Sequence, residues 1–355
     1  MERKRIVYFD HLRVAAIIAV MVIHVATQNW TEVRPGGFQW QVFNIYDGIV
    51  RWSVPVLLMI SGPLFLKKEI PTKTLYTKYI PRLAIAYLVW SAFYAIVIPV
   101  GKSLQGGGLQ LSFTSVLTSV IEGELHMWFI PMIIGIYMCV PLIRRIVRSR
   151  EATRYHLLLS FLFVFVIPQA ADLARDFIGG PFSDIIGAVE DLASRMSLDT
   201  ILGYSFYFIL GYYLNETQLS KKQRTTICIL GVIGTIASFA LNALVTWKTQ
   251  EPCSKYFGNF TVNVLLEAVC VHTLAKYTDH GSQKWNALLC KLSKLSFGAF
   301  LVHIFVMDAF VLIGLDTLRF WPIISIPVIS MLTALVSFGI SWVLSKIPVI
   351  NEWLI

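Results

Sequence analysis

Apolar runs of about the length needed to cross a bilayer recur along the whole chain, each bounded by charge, proline or glycine. Ten emerge: Leu12 to Trp30, Ile45 to Leu66, Leu83 to Val100, Trp128 to Ile146, Leu157 to Ala171, Ile201 to Leu214, Thr226 to Val245, Phe260 to Leu274, Phe297 to Leu315 and Ile323 to Leu344. A hydrocarbon core of roughly 30 Å is crossed by about 20 helical residues. The runs therefore predict an all-α fold, a polytopic membrane helical bundle of about ten transmembrane helices filling a single domain over residues 1–355. The fifth, sixth and eighth runs are short, and tilt or polar flanking residues must complete them. With 56% hydrophobic residues against 14% charged ones, water-facing globular domains are excluded.

The formal net charge of +9 would point to nucleic acid in a soluble protein. Here the basic residues sit between apolar runs, so no nucleic-acid partner is implied. Arg3, Lys4, Arg5 and Arg13 precede or open the first span, and Lys67, Lys68, Lys73, Lys78 and Arg82 lie between the second and third. Arg144, Arg145, Arg148, Arg150 and Arg154 follow the fourth, and Lys221, Lys222 and Arg224 the sixth. Lys276, Lys284, Lys291 and Lys294 follow the eighth, and Lys346 the tenth. Most of the 30 Lys and Arg thus fall on one side, and this bias places both termini in the cytoplasm of a cell-membrane protein. No small-residue cleavage site precedes Gln28, Asn29 and Trp30, so the first span reads as retained. The five cysteines show no CxxC spacing, and neither a metal site nor a disulfide framework is expected.

The longest outer connection, Asp172 to Thr200, is acidic: Asp172, Asp176, Asp184, Glu190, Asp191 and Asp199 face only Arg175 and Arg195. Ile185, Val189, Leu192 and Met196 fall at helical spacing within it, which predicts a short amphipathic helix at the outer mouth, as a lid or as a solvated loop with one packed face.

Ionisable groups inside apolar spans are costly and mark candidate sites. In the first span Arg13 and His24 are eleven residues apart. That returns to within roughly 20° of the same helix face, displaced by about 16 Å. Asp10, one turn before Arg13, is placed to pair with it. Taken singly, Arg13 reads as a snorkelling anchor and His24 as an interhelical hydrogen-bond partner. Taken together, a cation near the cytoplasmic boundary can hold an anionic phosphate-bearing cosubstrate, and a deeper imidazole can take a proton from a hydroxyl.

The segment Phe9-Asp10-His11-Leu12-Arg13, followed after ten residues by His24, resembles the first helix of the acyltransferase-3 family of integral membrane acyltransferases. Three further stretches resemble that family in order. These are Ile60-Ser61-Gly62, then His126, Trp128 and Phe129 with Tyr137 and Pro141, then the run from Leu295 and Ser296 to His303. The resemblance spans about Phe9 to Pro348. One departure is that Lys78 and Arg82 are four apart with Pro81 between them, where many members carry two arginines three apart. The resemblance implies transfer of an acyl group, usually acetyl, from cytoplasmic acetyl-CoA or another acyl-CoA to a hydroxyl of a sugar, lipid-linked sugar or cell-surface glycan. It also implies a membrane domain without the hydrolase-like domain that some members fuse to it.

On this reading His24 is the base or the acyl carrier, and Arg13, Lys78 and Arg82 hold the anionic carrier. Asp10, Ser61, His126, Trp128, Glu267 and His303 are candidate supporting or acceptor residues. For most of them a plainer reading exists. Trp128 suits an interfacial anchor, Ser61 and Gly62 suit close helix packing, and Asp47 with Arg51 suits a salt bridge within one helix. Glu267, mid-span with Asn263 one turn earlier, demands a partner in the bundle. The alternative function is a secondary transporter or flippase using the buried polar groups as a substrate path, although no inverted halves are visible.

Overall fold

The computed structural model of the chain describes residues 5–104, 112–198 and 202–355; Arg3, Lys4, Asp199 and the Ile201 start of the sixth expected span lie outside these. Among the described residues every regular element is helical. In chain order they are α1 (Val7–Thr27), α2 (Phe38–Gly48), α3 (Ser53–Leu66), α4 (Ile80–Leu104), α5 (Phe113–Glu122), α6 (Phe129–Val147), α7 (Arg150–Ser160) and α8 (Ile167–Leu173). There follow α9 (Gly180–Arg195), α10 (Ser205–Glu216), α11 (Lys221–Thr249), α12 (Val262–Tyr277), α13 (Gln283–Leu312), α14 (Pro322–Leu344) and α15 (Pro348–Trp353).

Nine helical runs among the described residues are long and apolar enough to cross a membrane. The fifth and eighth expected spans prove longer than their apolar runs, at Arg150–Ile178 and Lys255–Tyr277. The sixth differs. Helix α10 has 12 residues, about 18 Å of rise, too short to cross a bilayer alone. Phe206, Tyr207, Phe208 and Ile209 are buried, so this short run belongs to the interior of the bundle.

Two prolines explain local departures from α geometry. Pro81 is the second residue of α4 and follows a π-helical turn at Leu75–Tyr79; Pro168 is the second residue of α8 and follows another at Phe161–Val166. A proline removes one backbone donor and crowds the carbonyl four residues earlier, and a widened turn absorbs both effects without ending the helix.

The chain divides into two compact units, one of Met1–Glu69 with Leu142–Ser282, the other of Ile70–Pro141 with Gln283–Ile355. In the first, α11 packs on α12, α3 on α10, and α1 on α2 and α3. Lipid tails are as apolar as leucine, so such helices associate through close packing and interhelical hydrogen bonds rather than through escape from water. Gly62 and Gly211 supply the closest approach: a Cβ on Gly62 would lie 1.9 Å from the Phe208 carbonyl oxygen, and one on Gly211 2.0 Å from that of Met59. Lys276 closes the end of α10 by donating to the carbonyls of Leu214, Asn215 and Thr217 at 2.7, 3.0 and 2.7 Å. The amphipathic helix expected in the acidic connection is α9. It is tied down by Arg175, which donates to Glu190 at 2.6 Å and Asp172 at 2.9 Å, while Ile185, Val189, Leu192 and Met196 are exposed.

In the second unit α13 packs on α14 and α4 on α5. The Tyr94 hydroxyl of α4 donates to the Leu301 carbonyl of α13 at 2.7 Å. Helix α5 starts at a reciprocal cap in which Ser112 and Ser115 satisfy each other's backbone N–H groups.

Candidate active site

Within the first unit, Asp10, Arg13 and His24 all lie on the unbroken helix α1. Nothing in its 21 residues interrupts the hydrogen-bond ladder, so the eleven-residue spacing holds as an axial displacement of about 16 Å. Asp10 is buried, and Arg5 grips it at two points, Nε to Oδ2 at 2.5 Å and a terminal nitrogen to Oδ1 at 2.7 Å. Around this pair opens a cavity of about 690 Å³ with Arg5, Arg13, Lys67 and Lys68 in its wall and Phe9, Pro63 and Leu64 among its apolar lining. Asp10 is the lone acidic group in that lining, so the chamber is net positive. Lys67 also reaches Glu216 at 3.0 Å on the surface, and Arg144 caps the end of α3 by donating to the Phe65 carbonyl.

His24 lies one turn before the other end of α1, half-buried. The ring of Trp30, six residues further on, lies 6.1 Å from that of Phe257. Arg51 stands in the turn Ile49–Trp52 that separates α2 from α3, inside the helical run Phe38–Leu66. It donates to the buried carboxylate of Asp47 and lies 4.6 Å from the ring centre of Phe257. Glu267, also buried, lies on α12, which packs on α3, and accepts the Ser238 hydroxyl.

A relay of side chains continues from there. Asn263 donates to Ser238 Oγ at 2.8 Å and to the Tyr256 carbonyl at 2.7 Å, and its own oxygen accepts from Gln169 at 3.0 Å. Asn242 accepts from the Tyr256 N–H at 3.1 Å and from the Cys253 thiol at 3.4 Å. Burial raises the Cys253 thiol above its ordinary range, so it stays protonated as a donor to Asn242. Ser61 donates back to the Leu57 carbonyl at 2.8 Å, within its own helix.

The remaining sequence candidates belong to the second unit. His126 sits buried in a 3₁₀ turn, Leu125–Trp128, with its ring 5.0 Å from His303 and 5.2 Å from Tyr94, both edge to face. His303, buried in α13, places Nδ1 at 2.5 Å from the Phe300 carbonyl. The structure therefore brings His126 and His303 together, a pairing that the sequence did not indicate. Trp128 is exposed, as an interfacial anchor would be. Lys78 is exposed on the π turn before α4, and Arg82 donates to the backbone oxygen of Ile355. Near this imidazole pair a cavity of about 390 Å³ has Glu124, Phe305 and Asp308 in its wall.

In the sequence, Arg5, Lys67 and Lys68 are masked as site residues because they also serve as topology charges, and Ser238 carries no signal as one serine in a long apolar helix. Among the described residues, no group of three or more His, Cys, Asp or Glu could hold a metal ion.

The sequence profile of the acyltransferase-3 family, described as an acyltransferase domain, matches residues 6–346. The chain belongs to the acyltransferase-3 family. The match runs through both compact units and takes in Arg13, His24, His126 and His303. No curated protein and no solved structure gives a match. With nine helical runs among the described residues long and apolar enough to cross a membrane, membership makes this an integral membrane protein whose class of chemistry is acyl transfer.

Proposed function

We propose that the protein moves an acyl group, acetyl in the first instance, from cytoplasmic acyl-CoA to a hydroxyl of a sugar or cell-surface glycan on the outer side of the cell membrane, with both termini cytoplasmic. What supports this reading is one uninterrupted helix that carries a basic cavity at its Arg13 end and a half-buried imidazole about 16 Å further along. Arg13, with Arg5, Lys67 and Lys68, receives the phosphates of the carrier, and multiple charges at the rim of a low-dielectric chamber bind such a ligand far better than in open water. Lys78 and Arg82 are proposed as further anionic contacts, Arg82 by exchanging its Ile355 partner. His126, Trp128 and His303 are proposed to support the acceptor.

In the direct route a nitrogen of His24 takes the proton of the acceptor hydroxyl as its oxygen attacks the thioester carbonyl carbon. The tetrahedral oxyanion then collapses, the C–S bond breaks, and the CoA thiolate recovers the proton from the imidazolium. In the two-step route the imidazole itself carries the acyl group between donor and acceptor. Acyl transfer by the purified protein in liposomes, read as CoA thiol release from acetyl-CoA with an envelope glycan fraction as acceptor, tests the proposal. His24→Ala is expected to lower kcat by about 10³-fold while the protein stays folded. Solute movement across the vesicles without thiol release would overturn it in favour of a transporter.

A further inference from the structure

An interrupted helix inside a membrane span leaves backbone polar groups that hydrocarbon cannot satisfy, so such breaks survive where protein covers them or where they line a polar site. The break at Ile49–Trp52 is covered in part by its own turn, in which Ile49, Val50 and Ser53 donate to the Ile45, Asp47 and Val50 carbonyls. Four polar side chains gather at it: Asp47, Arg51, Ser53 and, from α12, Glu267. Asp47, Ser53 and Glu267 are buried almost completely, whereas Arg51 keeps 21% of its side chain exposed.

A buried salt bridge alone is a poor explanation for this set, because desolvation offsets most of what the pair gains. The set also holds more than that one pair, since the buried carboxyl group of Glu267 stands near it without a salt bridge to Arg51 among the described residues. Asp47 Oδ1, Glu267 Oε2, Ser53 Oγ and Arg51 Nε moreover have no hydrogen-bond partner among the described residues. Acceptors and a charged donor left over at one helix break, joined to the His24 end of α1 through Trp30 and Phe257, suit a reacting carbonyl and hydroxyl.

We propose that Arg51 is a second catalytic residue, which donates from its guanidinium to the thioester carbonyl oxygen as that oxygen becomes an oxyanion beside His24. Asp47 is the positioning residue that fixes the guanidinium, and Phe257 holds it from one face. This rests on the reading of His24 as base or acyl carrier. No bond is made to Arg51: the hydroxyl proton goes to His24, the carbonyl carbon gains the acceptor oxygen and loses the CoA sulfur, and Arg51 stays protonated throughout. Arginine suits the task because it keeps its charge when desolvated and offers several donors in a fixed plane.

The test compares Arg51→Met, Arg51→Lys and Asp47→Asn with wild type and His24→Ala in the acetyl-CoA assay, with kcat and KM measured separately and folding followed by size exclusion in detergent. Arg51→Met is expected to lower kcat by about 10²- to 10³-fold with KM for acetyl-CoA changed by less than about threefold. Arg51→Lys recovers part of that loss, and Asp47→Asn loses about tenfold in kcat, which a merely structural role would not confine to kcat. Should Arg51→Met fail to fold, Arg51→Lys carries the test, with a kcat drop at unchanged KM expected. Arg51 variants that keep wild-type kcat, or lose only KM, while His24→Ala is inactive would overturn the role of Arg51 alone. Activity that survives in His24→Ala would overturn the underlying reading and this inference with it.

Discussion

Gly62 of α3 and Gly211 of α10 hold their helices at backbone contact, each lacking a side chain where the other helix places a carbonyl oxygen about 2 Å from the missing Cβ. A methyl group cannot be accommodated by rotating a side chain, because the obstacle is main chain. Gly62→Ala or Gly211→Ala is therefore expected to destabilise the first unit by about 3 kcal/mol, at the upper end of overpacking costs. A thermal midpoint in detergent checks this. Gly135, with open space around its Cβ position, provides the control and should tolerate alanine.

The basic cavity makes a separable prediction about the cosubstrate. Neutralising Lys67 and Lys68 together, as glutamines, is expected to raise KM for acetyl-CoA by about tenfold, near 1.4 kcal/mol, with little change in kcat. The difference from wild type should shrink as salt is added, since the interaction is between a partly exposed cationic surface and phosphate. Arg13→Gln should act in the same direction. A kcat loss that is independent of salt would place these residues elsewhere in the mechanism.

Much of the fold was legible because the membrane allows few solutions. Nine of the ten apolar runs match helical runs of membrane-crossing length among the described residues, and the eleven-residue spacing of Arg13 and His24 falls on the unbroken helix α1. What escaped has physical causes. Helix α10 looked like a span because phenylalanine, isoleucine and leucine are as common in a buried core helix as in a lipid-facing one. The π turns before Pro81 and Pro168 were invisible to hydropathy, which does not register backbone widening. The proximity of His126 to His303, and that of Asp47 and Arg51 to Glu267, depends on contacts between helices far apart in sequence, and no local pattern encodes those.

The relay through Asn263 predicts an asymmetry between two substitutions. Asn263 joins Gln169, Ser238 and the Tyr256 carbonyl, so Asn263→Leu leaves several buried partners unsatisfied. Ser238→Ala removes the donor to the buried Glu267 carboxyl group but leaves Asn263 its Tyr256 and Gln169 bonds. With an orphaned buried group costing about 1–3 kcal/mol, Asn263→Leu, which strands more of them, is expected to destabilise more than Ser238→Ala does. Chemical denaturation in mixed micelles would rank them, and equal effects would show that the relay is not cooperative.

His280 predicts how acid acts on the first unit. It lies in the connection after α12, with its ring 5.0 Å from His11 and stacked 6.2 Å from Tyr8. Burial first, and the neighbouring His11 second, lower its proton affinity below the ordinary imidazole value, with Asp279 acting in the opposite sense. The folded state thus binds this proton less readily than the unfolded state does. Stability from this group is full above the ordinary histidine pKa of about 6.5 and is lost as pH falls through the window beneath it, because only the unfolded chain gains the proton there. His280→Gln should consequently lessen the fall in thermal midpoint between pH 7.5 and pH 5, with little change at pH 7.5. An unchanged acid dependence in the variant would shift the effect to the other histidines.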